Sequence, residues 1–141
     1  MRPYYLLDTN IISEPTQKVQ NKNVINNLRD KVAVCAISAI TLAEVAKGAY
    51  LLPPGKRQDS FIEFYNEEVK ALYQCIPFDE FSAQIYGEIQ ADMIHKGKPR
   101  PQLDLLIAAT AIANNMILVT RNTADFEDIP GLMMENWFEE S

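Results

Sequence analysis

Short, continuous apolar runs along this chain alternate with longer stretches in which apolar residues recur every three or four positions. The runs at 4–7, 32–37, 75–78 and 116–120 read as strands apolar on both faces, as in a covered parallel sheet. Leu132-Met133-Met134 is a candidate fifth strand, and Pro77 puts the third at a sheet edge or ends it there. Between the strands the spacing predicts helices. A short one begins at Thr9 or Asn10 and is broken by Pro15. The next covers 21–30, with Val24, Ile25 and Leu28 on one face. Ser38 caps a helix from about 39 to 52, which Pro53-Pro54-Gly55 stops. Phe61, Ile62, Phe64, Tyr65, Val69 and Leu72 mark a helix over 59–73. Asp79 caps another, through Phe81, Ile85, Ile89 and Met93, ending before Gly97. The last runs from Gln102 to Asn114 or Asn115, where Asn can take the left-handed conformation that closes a helix. Strands alternating with helices predict an α/β fold with a mainly parallel sheet.

With 141 residues and 48% hydrophobic content, the chain can bury one core, so a single domain over 1–141 is expected, without repeat or linker. No apolar run approaches a bilayer span and the N-terminus lacks signal-peptide order, which points to a soluble, cytoplasmic protein and no membrane partner. Cys35 and Cys75 lie in apolar runs without metal-type spacing and read as small buried hydrophobes in a reducing compartment. A net charge of −6 argues against a broadly basic nucleic-acid surface. The local pattern differs, because Lys96, Lys98 and Arg100 form a basic stretch shortly before Asp104, and Arg121 follows a strand end.

Four acids stand out for their apolar settings. Asp8 ends the first strand, Glu44 sits within Leu42-Ala43-Glu44-Val45, Asp104 interrupts Leu103-Asp104-Leu105-Leu106, and Asp125 follows the fourth strand. In a parallel sheet, functional groups collect beyond the carboxyl ends of the strands, so neighbouring first and fourth strands would bring Asp8 and Asp125 together. Carboxylates crowded in this way either hold protons more tightly or bind a divalent cation. Oxygen-only donors suit Mg²⁺ or Mn²⁺, and His95 alone with two separate cysteines excludes a conventional zinc set. Such an ion activates water and stabilises charge on phosphate, which points to phosphodiester hydrolysis. Each acid also has a purely structural explanation: Asp8 and Asp104 as helix caps, Glu44 paired with Lys47, Asp125 capping the turn before Phe126. Trp137 and Phe138 read as a lid on the core rather than a base-stacking platform, and Tyr4 and Tyr5 as core or interface.

The segments Leu6-Leu7-Asp8-Thr9-Asn10, Ser38-Ala39-Ile40-Thr41-Leu42-Ala43-Glu44-Val45, Leu103-Asp104-Leu105-Leu106-Ile107-Ala108-Ala109 and Val119-Thr120-Arg121-Asn122-Thr123-Ala124-Asp125-Phe126 occur in this order. Together they resemble the PIN-domain ribonucleases, specifically VapC-type toxins of bacterial toxin–antitoxin pairs. The resemblance covers essentially the whole chain and implies a PIN-like sheet of about five strands in the order 3-2-1-4-5. It assigns Asp8, Glu44 and Asp104 to the metal, with Asp125 as a fourth acid. Many relatives carry an acid where this chain has Asn122. It further implies that Thr9 and Asn10 orient Asp8 and that Thr120 and Asn122 serve the surrounding hydrogen bonds. The expected activity is Mg²⁺- or Mn²⁺-dependent cleavage of structured RNA, transfer RNA among the targets. A cognate antitoxin is the expected partner, with a homodimer or a larger toxin–antitoxin assembly. Lys96, Lys98, Arg100 and Arg121 are the candidates for RNA backbone contacts. Two other classes stay open: an aspartyl-phosphate or receiver-type domain with Asp8 as phosphoacceptor, and a non-catalytic interaction module.

Overall fold

Strands form at the short apolar runs, Tyr5–Leu7 (β1), Cys35–Ser38 (β2) and Ile117–Val119 (β4), which are mostly buried on both faces, and at the more open Gln74–Ile76 (β3) and Met133–Glu135 (β5). In the computed structural model, which describes residues 3–139, they pair in parallel in the order β3-β2-β1-β4-β5. This is the α/β architecture and strand order that the resemblance implies. Residues 1, 2, 140 and 141, the expected ends of the domain, lie outside the described residues. Among the described residues six α-helices flank the sheet: Thr9–Ile12 (α1), Lys22–Lys31 (α2), Ala39–Leu51 (α3), Lys56–Phe64 (α4), Glu80–His95 (α5) and Gln102–Ala113 (α6). Among the described residues no helix is long and apolar enough to cross a membrane.

Because successive strand residues point to opposite faces, the sheet divides the core in two. Leu6, Ala36 and Leu118 face Ile89 and Met93 of α5 and Ile107, Ala108 and Ala111 of α6. Leu7, Ile37 and Val119 face Ile11 of α1, Val24 and Leu28 of α2, and Val45 of α3. Trp137 closes the second layer, 4% exposed, its ring edge-on to Tyr5 and its indole N–H donating to Glu135, as expected of a lid. Tyr4, by contrast, is exposed and lies edge-on to Tyr5.

Several boundaries follow local chemistry. Ser38 caps α3 by accepting the Thr41 N–H at 2.9 Å, and Asp79 caps α5 by accepting that of Ser82 at 2.9 Å. Asn115 takes φ 54° after α6, the left-handed close expected there. Other expectations are corrected. Residues 32–34 form a 3-10 turn, so β2 begins only at Cys35; an apolar triplet has the same pattern in either state. The helix expected over 59–73 starts at Lys56 and widens into a π-helix over Tyr65–Lys70, with Val69 fully buried in the second core layer. Cys35 is buried as expected, but Cys75 is exposed, because β3 is an edge strand in which both Gln74 and Cys75 are open to solvent. Ile76 ends that strand ahead of Pro77.

Candidate functional site

Parallel pairing sets Leu7 of β1 opposite Val119 of β4, and the residues that leave these strands, Asp8 and Thr120, therefore emerge side by side. The ladder continues as the Asp8 N–H donates to the Val119 carbonyl at 2.9 Å. The Asp8 carboxylate is then fully specified. Oδ1 accepts the Thr9 N–H at 2.9 Å, capping α1, and Oδ2 accepts the Thr120 hydroxyl at 2.9 Å, with the Asn10 amide at 3.4 Å. Thr120 is fully buried, and its Oγ1 also accepts the Asn122 N–H at 3.1 Å. Asn10 Oδ1 accepts the Arg121 N–H at 3.0 Å, so α1 and the segment after β4 are stitched together around one acid.

Glu44, half-buried on α3, and Asp104, half-buried in the first turn of α6, lie within electrostatic reach of Asp8. Burial first, then the charges of Asp8 and Asp104, raise the Glu44 carboxyl above its ordinary value. Lys47 opposes this only as the smallest influence, and the alternative Glu44–Lys47 ion pair does not form among the described residues. Burial, Asp8 and Asp125 likewise raise Asp104. Asp125 itself is exposed, in a 3-10 turn over Thr123–Phe126 whose buried Phe126 anchors it. The fold thus gathers the four predicted acids into one electrostatic neighbourhood. Asp8 does cap α1, whereas Asp104 is no cap: Pro101 holds that position and Asp104 lies three residues further on.

The four acids offer only oxygen donors, which suit Mg²⁺ or Mn²⁺. A further buried oxygen, Thr9 Oγ1 next to Asp8, has no hydrogen-bond partner among the described residues. In the present side-chain conformations no three acidic, His or Cys groups among the described residues converge on a single point. The fit of a divalent ion therefore rests on donor chemistry and proximity rather than on a closed cage.

The basic candidates divide. Lys96 pairs with Asp92 at 2.7 Å and donates to the Asp128 carbonyl, Lys98 pairs with Asp128 at 2.9 Å, and Arg100 donates to the Glu127 carbonyl at 3.2 Å. These three fasten the loop before α6 to the turn after Asp125. Arg121 is exposed, its guanidinium 4.4 Å from the centroid of the Phe138 ring. One group escaped the sequence reading: Glu14, directly after α1 and only 8% exposed, accepts the Asn21 N–H at 2.7 Å and lines a cavity of ≈ 570 Å³ beside Asn10 and Arg121. An acid placed between the apolar pair Ile11-Ile12 and Pro15 was the available signal.

The family described as "PIN domain" matches residues 5–132. The toxin FitB of Neisseria gonorrhoeae is 36% identical over 124 residues, 86% of this chain and 89% of that protein. The tRNA(fMet)-specific endonuclease VapC of Shigella flexneri is 31% identical over 133 residues, 94% and 97% of the two chains. Among solved structures, FitAB bound to an IR36 DNA fragment superposes with a TM-score of 0.89 at 34% identity, covering 97% of each chain.

Proposed function

Since this chain belongs to the PIN-domain family, we propose that it is an endoribonuclease acting as the toxin of a toxin–antitoxin pair, hydrolysing RNA phosphodiester bonds with a divalent metal ion. The observation that carries the reading is the Asp8 carboxylate, held at the β1–β4 boundary by Thr9, Asn10 and Thr120 and faced by Glu44 and Asp104. Asp8, Glu44 and Asp104 would hold Mg²⁺ or Mn²⁺, with Asp125 beside Asp104 as the fourth acid. When bound, such an ion lowers the cost of ionising water and of placing charge on a phosphate oxygen.

The chain's own residues do the positioning. Asp8 has both oxygens committed before substrate arrives, so little reorganisation remains. Thr120 ties that carboxylate to the backbone of Asn122, and Asn10 ties it to that of Arg121, whose cation is set for a substrate phosphate. Lys96, Lys98 and Arg100 act chiefly by holding the Asp125 turn in place, with their remaining charge facing RNA. Transfer RNA is the substrate class supported by the Shigella relative. The likeness to the toxin FitB and to the FitAB assembly supports a cognate antitoxin as protein partner.

The test is cleavage of total bacterial RNA by purified protein with Mg²⁺ or Mn²⁺, against EDTA and against Asp8→Asn, with product ends mapped. Metal-dependent cuts at few sites, lost in the variant, are expected. A folded, partner-free protein that leaves RNA intact with either metal would overturn the nuclease reading in favour of a phosphoacceptor or a non-catalytic module.

A further inference from the structure

The ≈ 570 Å³ cavity beyond Asn10 takes no part in holding the acids, yet it opens beside them. Its volume falls in the range of small-molecule sites, roughly 300–1,000 Å³. Asn10 and Arg121 form the wall shared with the Asp8 region, and Phe138, Gln17, Glu14 and Asn21 are among the other lining residues. Three features bear on what it accepts. The Arg121 guanidinium lies over the Phe138 ring, 4.4 Å from its centroid, which places two flat groups of the kind on which unpaired bases stack beside one another. Glu14 is buried without an ion-pair partner among the described residues, an unusual state for a carboxylate. Its Oε2 is pinned by the Asn21 N–H at 2.7 Å while no described residue donates to Oε1.

We propose that this cavity is a nucleobase subsite that selects guanine at a nucleotide adjacent to the bond that is cut. The inference rests on the ribonuclease reading and adds a specificity residue, Glu14. A carboxylate only accepts hydrogen bonds, and its two oxygens offer about four acceptor positions, so the Asn21 bond leaves room for more. Guanine is the RNA base whose pairing edge presents two adjacent donors, N1–H and the N2 amino group, which match two carboxylate oxygens. Adenine and cytosine each present one amino donor next to an acceptor nitrogen that a carboxylate repels. Arg121 stacks on the base or meets its phosphate, which offsets the repulsion between Glu14 and the RNA backbone. The Asn10 side chain spans the two sites by bonding both Asp8 and the Arg121 backbone, so an occupied base subsite and the acid cluster share one rigid wall.

The experiment measures anisotropy of labelled oligouridines carrying a single guanosine, inosine or adenosine. It uses the full chain with Asp104→Asn, which stops hydrolysis and leaves the Asp8–Asn10–Arg121 links intact. The guanosine oligomer should bind roughly tenfold more tightly than the inosine one, which lacks only the amino group. Adding Glu14→Gln, which can still accept the Asn21 N–H, should abolish that difference. In the otherwise unaltered enzyme, Glu14→Gln should slow cleavage beside guanosine more than cleavage elsewhere, so that the mapped ends lose their preference for guanosine. The guanosine–inosine comparison needs no change at Glu14, so a misfolded Glu14 variant does not rescue the idea. Equal affinity for the three oligomers overturns the subsite, and if metal-dependent cleavage persists the nuclease reading survives it. Loss of antitoxin binding by Glu14→Gln, with base preference unchanged, would overturn it in favour of a protein occupant.

Discussion

Replacing Thr120 by Val isolates the hydrogen bonds that hold Asp8, because the two side chains share shape and branching and only the hydroxyl is lost. The wild-type hydroxyl is fully buried, donates to Asp8 Oδ2 at 2.9 Å and accepts the Asn122 N–H at 3.1 Å. A hydrogen bond to a charged group contributes about 1.5–3 kcal/mol, and a buried polar group left unpaired costs about 1–3 kcal/mol. Asp8 is 9% exposed and keeps the Thr9 N–H and a long contact to Asn10, whereas the Asn122 N–H lies nearer solvent and regains water. The net loss is therefore about 2 kcal/mol, which for a chain of this size lowers Tm by roughly 4–8 °C. Urea unfolding in EDTA should show the lowered midpoint with an unchanged m-value, and Thr120→Ser should recover most of it. Divalent-ion affinity, followed by calorimetric titration, should fall about 10–100-fold, as happens when a group orienting a ligand is removed. A Val variant as stable and as tightly metal-binding as the wild type would refute the view that Thr120 fixes Asp8.

In metal-free protein, Glu44→Gln should raise the urea midpoint at neutral pH. The raised carboxyls of Glu44 and Asp104 bind protons more tightly in the folded state than in the unfolded one, so the stability these two groups contribute is fully present in acid and is lost as pH rises through their folded-state values. The variant should flatten that decline, and an unaltered pH profile in EDTA would count against crowded acids. Ser38→Ala removes the α3 cap and the buried bond between the Ser38 and Thr41 hydroxyls, and should cost about 1–2 kcal/mol by chemical denaturation. Neutralising Lys96, Lys98 and Arg100 together should cost less than about 1 kcal/mol of stability, since the two lysine pairs are half-exposed. It should also weaken RNA binding and reduce its salt slope, while an unchanged slope would assign these cations to the loop alone.

Read along the chain, the alternation of short apolar runs with helical spacing already specifies an α/β fold, because burial on both sheet faces makes the central strands almost wholly apolar. Ser38, Asp79 and Asn115 were legible for the same reason, since caps and helix closes depend on the chemistry of one residue and its nearest backbone. The four acids stood out by their apolar company, and the order of motifs around them tied them to one family. Elements whose state depends on distant contacts were not legible. Val32–Val34 turns where a strand was expected, the segment Tyr65–Lys70 widens into a π-helix, and Cys75 faces outward only because β3 ends up at the sheet edge. Only the tertiary structure decided which groups meet Asp8. Thr120 lies 112 residues away along the chain and bonds it because β1 and β4 pair in parallel, a long-range register that no local spacing encodes. The burial of Glu14 beside Arg121 and Phe138 has the same origin, since three distant segments enclose a cavity only once the sheet has brought their ends together.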